Sequence, residues 1–263
     1  MHKPFFSLFR LGRLLLLDIR FWARPILLGA AAITLGVILL SPLAAFSHSG
    51  QSFHAIMYGW ILEFGGLVFT SRIFLELRHP LTSQSYLLLP ASIEEKFLSR
   101  YLLSSVGYVL FSFIGYQCLQ LLSEGINALL VGRTNPLFFP NRFFHLHILA
   151  VYLAMQTLFF AGAVYFRKYS FIKTWFLMSA LLFLLGIFGY GLIRLFFMGY
   201  FEGAQPHRSV IFAFAQMGVT GDLYVAFYPL KMWLTWVLRI FFWGVMPVCA
   251  LAFAYFRLRE TEV

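Results

Sequence analysis

Glu63 is the first residue whose chemistry attracts attention, because it is a carboxylate inside a long apolar run. If that run spans a membrane, as argued below, the charge is costly there and marks a paired or functional position. Arg239 interrupts another apolar run. Counted in residues from the same side of the membrane, the depths of Glu63 and Arg239 within their spans differ by only about 5 Å. Three interpretations stay open: an ion pair or hydrogen-bonded network joining two helices, a role in substrate passage or gating, or a lipid-facing snorkelled position.

Histidines and cysteines offer little further chemistry. Five histidines fall on the side of the membrane that we assign below as the outer side: His48, His54, His145, His147 and His207. His145 and His147 are two residues apart, so on a helix they face away from one another, which does not favour a metal site. Cys118 and Cys249 lie in apolar runs without metal or disulfide spacing. We expect no catalytic residue, no metal and no directly bound cofactor.

An intramembrane enzyme is one alternative, using Glu63 and the outer histidines. It would require these groups to meet at one depth, whereas Glu63 lies well below the histidines by residue count. Three glutamines within the apolar runs, Gln117, Gln120 and Gln156, are interpreted as hydrogen-bond partners between helices.

A capping pattern stands in the segment "YLLLPASIEEKFLSR" (86–100). Pro90 ends whatever precedes it, and Ser92 with Glu95 fits a capping box, so a helix is predicted to begin near Ile93. Lys96 and Arg100 are predicted to lie at the membrane edge, where their stems can snorkel. The connection is about 25 residues long when two to eight would reverse the chain, which favours a structured elbow containing a short helix between Pro80 and Pro90.

Composition places most of the chain in lipid. Of 263 residues, 61% are hydrophobic and 11% charged, against about 25% charged residues in a soluble domain. The formal charge of +10 is therefore attributed to topology and anionic headgroups, and no nucleic-acid partner is expected.

The fold class predicted is an all-α integral membrane protein, with residues 1–263 forming a single transmembrane domain. A spanning helix needs about 20 apolar residues. Six runs qualify, at about 25–46, 54–71, 101–123, 145–166, 174–193 and 233–256.

Basic residues predict how the chain is oriented in the membrane. Fourteen of the twenty Lys and Arg residues lie in the segments 1–24, 72–100, 167–173 and 257–263, so both termini and the elbow are expected in the cytoplasm of a cell-membrane protein. Lys3 and the arginines of residues 1–24 share one face, which predicts an interfacial helix on the cytoplasmic leaflet. The apolar segment 194–232 is predicted to dip into the outer leaflet as re-entrant or short helices.

The stretch "FTSRIFLELRHPLTSQSYLLLPASIEEKFLSRYLL" (69–103) resembles the region between the second and third helices of type-two ABC transporter permeases. In that family a leucine-proline-serine pattern followed by a lysine marks the cytoplasmic elbow. The tail "YFRLRETEV" and the six-span architecture with inside termini are similar as well.

The resemblance implies an elbow that docks on a separate ATPase subunit and a chain that pairs with a second copy or a related permease. No G-x-x-x-x-G-K-[ST] loop occurs, so ATP and magnesium would be bound by two partner ATPases. Transport would then be ATP-driven and most commonly export; the alternative is a non-transporting membrane scaffold or assembly protein. The residues assigned to ATPase coupling are Glu76, His79, Pro80, Leu89, Pro90, Ser92, Glu94, Glu95 and Lys96.

Overall fold

The computed structural model describes residues 6–46, 53–78, 91–139, 142–166, 168–196, 233, 236, 237 and 239–260. Within these ranges the chain is mostly helical and contains no strand. The helices are α1 (Leu8–Phe46), α2 (Phe53–Arg72), α3 (Ile93–Leu130), α4 (Arg142–Tyr165), α5 (Ser170–Phe196) and α6 (Phe241–Glu260). A 3₁₀ turn at Leu75–Arg78 follows α2.

Each of these six helices contains a segment long and apolar enough to cross a membrane. This is the architecture of a multi-pass membrane protein, as the composition predicted. The predicted re-entrant segment and the short helix between Pro80 and Pro90 lie outside the described residues.

Helix α1 is longer than the first predicted span. It runs for 39 residues and contains Pro25 and Pro42, a length of about 58 Å that exceeds a hydrocarbon core of about 30 Å. Residues 8–24 therefore continue into the span without a break at Pro25. Placement of this first part on a membrane surface stays a prediction. The face that packs inward carries Leu11, Asp18 and Trp22, whereas Arg13 and Arg20 are exposed.

In the part of the chain that the structure describes, three helices contain a five-residue π-helical turn, at Ile61–Gly65 in α2, Leu103–Gly107 in α3 and Phe241–Val245 in α6. Such turns insert one extra residue into a helix and often occur at functional sites. The turns of α2 and α3 approach each other, because Tyr108 donates a hydrogen bond to the Ile61 carbonyl at 2.6 Å.

The chain divides into two compact units, Met1–Phe171 with Pro247–Val263, and Ile172–Met246. The first unit contains two apolar clusters. One surrounds Trp22, Phe160 and Leu258, and the other surrounds Tyr58, Tyr116 and Tyr152. In the second unit the α5 side chains are almost all exposed, among them Phe176 and Phe183, as expected for a surface that faces lipid.

Candidate functional site

The beginning of α3 is the best-defined part of the predicted elbow. Ser92 is its N-cap, and its Oγ accepts a hydrogen bond from the Glu95 amide at 3.2 Å. Glu95 Oε2 accepts one from the Ser92 amide at 2.9 Å. This is the capping box that the sequence predicted, and it satisfies two backbone donors at the helix start.

Glu95 also joins α3 to the beginning of α1. Its Oε1 accepts hydrogen bonds from the Ser7 amide at 2.6 Å and from Arg10 Nε and Nη2 at 3.2 and 3.1 Å. The carboxylate is fully buried, whereas the Arg10 side chain is 35% exposed. We call Ser7, Arg10, Ser92 and Glu95 the Glu95 cap. Helix α6 approaches the same turn, because Tyr255 donates to the exposed Glu94 carboxylate at 3.0 Å.

A second cluster lies one turn further along α3. Arg100 Nη2 contacts Asp18 Oδ1 at 3.0 Å and Glu76 Oε1 at 2.9 Å, and Nη1 donates to the Ile73 carbonyl at 3.0 Å. Ser99 donates to Asp18 Oδ2 at 2.6 Å. These five residues, which we call the Arg100 cluster, tie α1 and the turn after α2 to α3.

A third cluster lies near the other ends of the same helices. Glu124 Oε1 accepts from Ser41 at 2.6 Å and contacts His54 Nε2 at 2.8 Å, while Oε2 accepts from the Asn135 amide at 2.6 Å. The side chains of Asn127 and Asn135 donate to Ser41 Oγ and Glu124 Oε1. All five side chains of this Glu124 cluster are buried.

The separation of these two clusters matches the thickness of a membrane. Asp18 and Ser41 are about 35 Å apart along α1, and Arg100 and Glu124 are about 36 Å apart along α3, at 1.5 Å per residue. A hydrocarbon core is about 30 Å thick. The two clusters therefore join α1, α2 and α3 near opposite ends of the bundle, about one hydrocarbon thickness apart.

The Glu124 cluster contains serine, histidine and a carboxylate but does not have the geometry of a hydrolase. In a catalytic triad the histidine lies between the serine and the acid. Here Glu124 lies between Ser41 and His54, and the other ring nitrogen of His54 bonds Tyr116 at 3.0 Å. This arrangement joins helices, and it lacks the serine-to-histidine hydrogen bond of a catalytic triad. No group of three potential metal ligands occurs in the described ranges either.

Glu63 lies near the middle of α2 within its π-helical turn, and it is half-buried. His147 of α4 acts on it electrostatically. The expected separation in depth between Glu63 and the outer histidines stays a prediction. Arg239 belongs to the other compact unit, where its exposed side chain lies 5.8 Å from the Trp236 ring centroid. The pairing of Glu63 with Arg239 stays a prediction.

The residues assigned to coupling fall into three groups. Glu94 is exposed at the start of α3. Glu76, Ser92, Glu95 and Lys96 are wholly or largely enclosed by the bundle. Four others, His79, Pro80, Leu89 and Pro90, lie outside the described residues. The prediction that the stems of Lys96 and Arg100 snorkel is wrong, because both side chains are buried inside the protein. Their position at a membrane edge stays a prediction.

The glutamine predictions hold in part. Gln156 of α4 donates to Ser104 of α3 at 2.7 Å, which is the predicted contact between helices. Gln120 instead bonds the backbone of Phe138, in the segment after α3, through both its amide atoms. Sequence reasoning missed Asp18 and Glu124. For Glu124 the available signal was its position one residue beyond the predicted third span, 101–123.

Comparison of the chain with protein-family models, curated proteins and solved structures finds no match.

Proposed function

We propose that this chain is the membrane-spanning permease subunit of an ATP-driven ABC transporter, and that it works as an exporter. Two separate ATPase subunits would supply ATP and magnesium binding, and a second permease copy or a related permease would complete the pathway. Both termini and the 76–96 elbow would lie in the cytoplasm of a cell-membrane protein. The proposal starts from the sequence resemblance and the distribution of basic residues.

One structural observation supports it most. The first turn of α3, at the end of the elbow, is joined to both ends of the described chain, through Ser7 and Arg10 at the beginning of α1 and through Tyr255 near the end of α6. A force applied to this turn would be passed to three spans at once, which is what a separate motor requires of its docking element.

Burial separates two roles among the coupling residues. A side chain that touches an ATPase must be exposed, as Glu94 is. Glu95 and Glu76 instead hold the turn in place from inside, since Glu95 is fully buried and Glu76 bonds Arg100. We therefore assign Glu94 to docking and Glu95 and Glu76 to positioning, with the segment between Glu76 and Ser92 providing the rest of the contact.

The experiment is co-purification of the tagged full chain from its native cell after mild crosslinking, followed by identification of bound proteins. A P-loop ATPase whose hydrolysis increases in the complex is the expected result. Leu89→Asp combined with Glu94→Arg should abolish both association and stimulation. Tyr255→Phe is the matched control, because it removes the Glu94–Tyr255 hydrogen bond but leaves the exposed carboxylate.

Two outcomes would overturn the proposal. If no ATPase is found with the wild-type chain, the scaffold alternative replaces it. If the double variant retains the ATPase and its stimulation, the elbow is not the docking element.

A further inference from the structure

Two grooves meet at Trp60 on the surface of the first compact unit. One, of about 210 Å³, lies between α2 and α4 and contains the Glu63 side chain; it is lined by Ala55, Ile56, Gly59, Trp60, Glu63 and Ile148. The other, of about 270 Å³, lies between α1 and α2 and is lined by apolar residues only, among them Gly36, Leu40, Met57 and Phe64. Trp60 belongs to both linings and is itself 64% exposed. An apolar trough therefore adjoins a carboxylate site.

Glu63 lies near the middle of α2, a helix long and apolar enough to span a membrane. It is ten residues from Phe53 and nine from Arg72, so it is within about 1 Å of the middle of α2 at 1.5 Å per residue. No residue that the structure describes forms a hydrogen bond or an ion pair with its carboxylate. His147 interacts with the carboxylate electrostatically. A carboxylate at this depth is expensive unless a cation or a hydrogen-bond donor compensates it.

The chemistry of the two grooves selects a ligand class. A carboxylate accepts hydrogen bonds and attracts positive charge, and the face of an indole ring attracts organic cations. The adjoining apolar trough suits a hydrocarbon chain, and it has no charged or amide side chain to bind a sugar or a phosphate.

We infer that the Glu63 and Trp60 grooves form a membrane-embedded binding site for a lipophilic organic cation, an amphiphile with an ammonium head and a hydrocarbon tail. The ammonium group lies against the Glu63 carboxylate and the Trp60 ring, and the tail occupies the trough between α1 and α2. This inference does not rest on the proposed transport function, because it concerns binding by the chain alone.

The π-helical turn at Ile61–Gly65 adds a structural reason for the position. The extra residue widens the helix at Glu63, and Gly65 and Gly66 let Tyr108 and Tyr152 approach α2 closely. The two tyrosines thus pack against the part of α2 that carries Glu63.

The test measures binding of radiolabelled dodecyltrimethylammonium to the purified full chain in lipid nanodiscs, with empty nanodiscs subtracted. Saturable binding is expected. Unlabelled dodecyltrimethylammonium should displace the label, and dodecanol, which has the same chain without the charge, should not. No ATPase is present, so the result is separate from that of the co-purification experiment.

Three variants locate the site. Glu63→Gln removes the charge and Trp60→Leu removes the ring, and each should weaken binding about tenfold or more. Gly59→Phe keeps both groups but fills the groove, since a Cβ at Gly59 meets no atom within 4 Å. Gly59→Phe should abolish binding. It therefore tests the site independently if Glu63→Gln fails to fold. The controls are Glu260→Gln and Gly115→Phe, which place the same changes at exposed positions away from both grooves.

Saturable, cation-selective binding that is lost in Gly59→Phe and retained in Gly115→Phe supports the site. Binding that survives Glu63→Gln unchanged, or displacement by dodecanol as efficient as by the cation, overturns it. Absence of saturable binding to the wild-type chain overturns it equally.

Discussion

Arg100 holds the Glu76 carboxylate at 2.9 Å across 24 residues of chain. The contact closes the elbow at its base, because Glu76 lies in the turn after α2 and Arg100 in the second turn of α3. Asp18 of α1 contacts the same guanidinium at 3.0 Å. The turn before the elbow and the helix after it are therefore joined through one buried cation.

Replacing that cation should strongly destabilise the protein. Arg100→Met leaves Asp18 and Glu76 buried without their partner, and breaking a buried pair from one side costs about 3–5 kcal/mol. Unfolding by SDS in mixed micelles would measure the loss. Arg13→Met, at an exposed position of α1, should change the free energy of unfolding by no more than about 0.5 kcal/mol.

A triple variant tests whether the loss of stability in Arg100→Met comes from the unpaired carboxylates. Adding Asp18→Asn and Glu76→Gln to Arg100→Met removes the uncompensated charges, so the triple variant should be more stable than Arg100→Met alone. A triple variant that is less stable would mean that the two carboxylates do not depend on Arg100.

Glu124 should stabilise the other end of the bundle to a comparable extent. Glu124→Gln replaces one acceptor oxygen by an amide donor, among Ser41, Asn127 and Asn135, which all donate to it. Each buried polar group left without a partner costs about 1–3 kcal/mol, so a loss of about 2–4 kcal/mol is expected in the same SDS assay. Glu260→Gln, whose exposed pair with Arg257 spans three residues, should cost less than about 1 kcal/mol.

Sequence reasoning succeeded where the relevant contacts are local. The long apolar runs predicted six membrane-spanning helices, and the spacing of Ser92 and Glu95 predicted the cap of α3, because a capping box needs only residues three apart. It also raised Glu63 as a candidate, since a charge within an apolar run is visible without any structure; the role of Glu63 stays a prediction.

It was less successful where the contacts are distant. The burial of Arg100 was not predicted, because its partners, Asp18 and Glu76, are 82 and 24 positions away and no short pattern joins them. Glu124 was overlooked for the same reason, since Ser41, His54 and Asn135 come to it from three other segments. Burial of a charge depends on which helices pack together, and composition does not contain that information.

Loss of the α3 cap should have a moderate effect. Ser92→Ala removes the oxygen that accepts from the Glu95 amide, and loss of such a cap costs about 1 kcal/mol. Ser92→Thr retains the acceptor, so its free energy of unfolding should lie within a few tenths of a kcal/mol of the wild-type value. The free energy of SDS unfolding would distinguish the two variants. Equal stability of Ser92→Ala and Ser92→Thr would contradict a stabilising role for the capping box.

Gly66 should tolerate no side chain. An added Cβ would lie 2.3 Å from Tyr152 Cε2 and 2.9 Å from Tyr108 Cε1, and the Tyr152 ring is fixed because its hydroxyl donates to the Ser104 carbonyl at 2.6 Å. Gly66→Ala should therefore cost about 1–3 kcal/mol by overpacking, measured by SDS unfolding. Gly115→Ala, whose Cβ meets no atom within 4 Å, should be neutral or slightly stabilising. Equal effects of the two substitutions would show that α2 and α4 do not approach as closely as Gly66 and Tyr152 do in this fold.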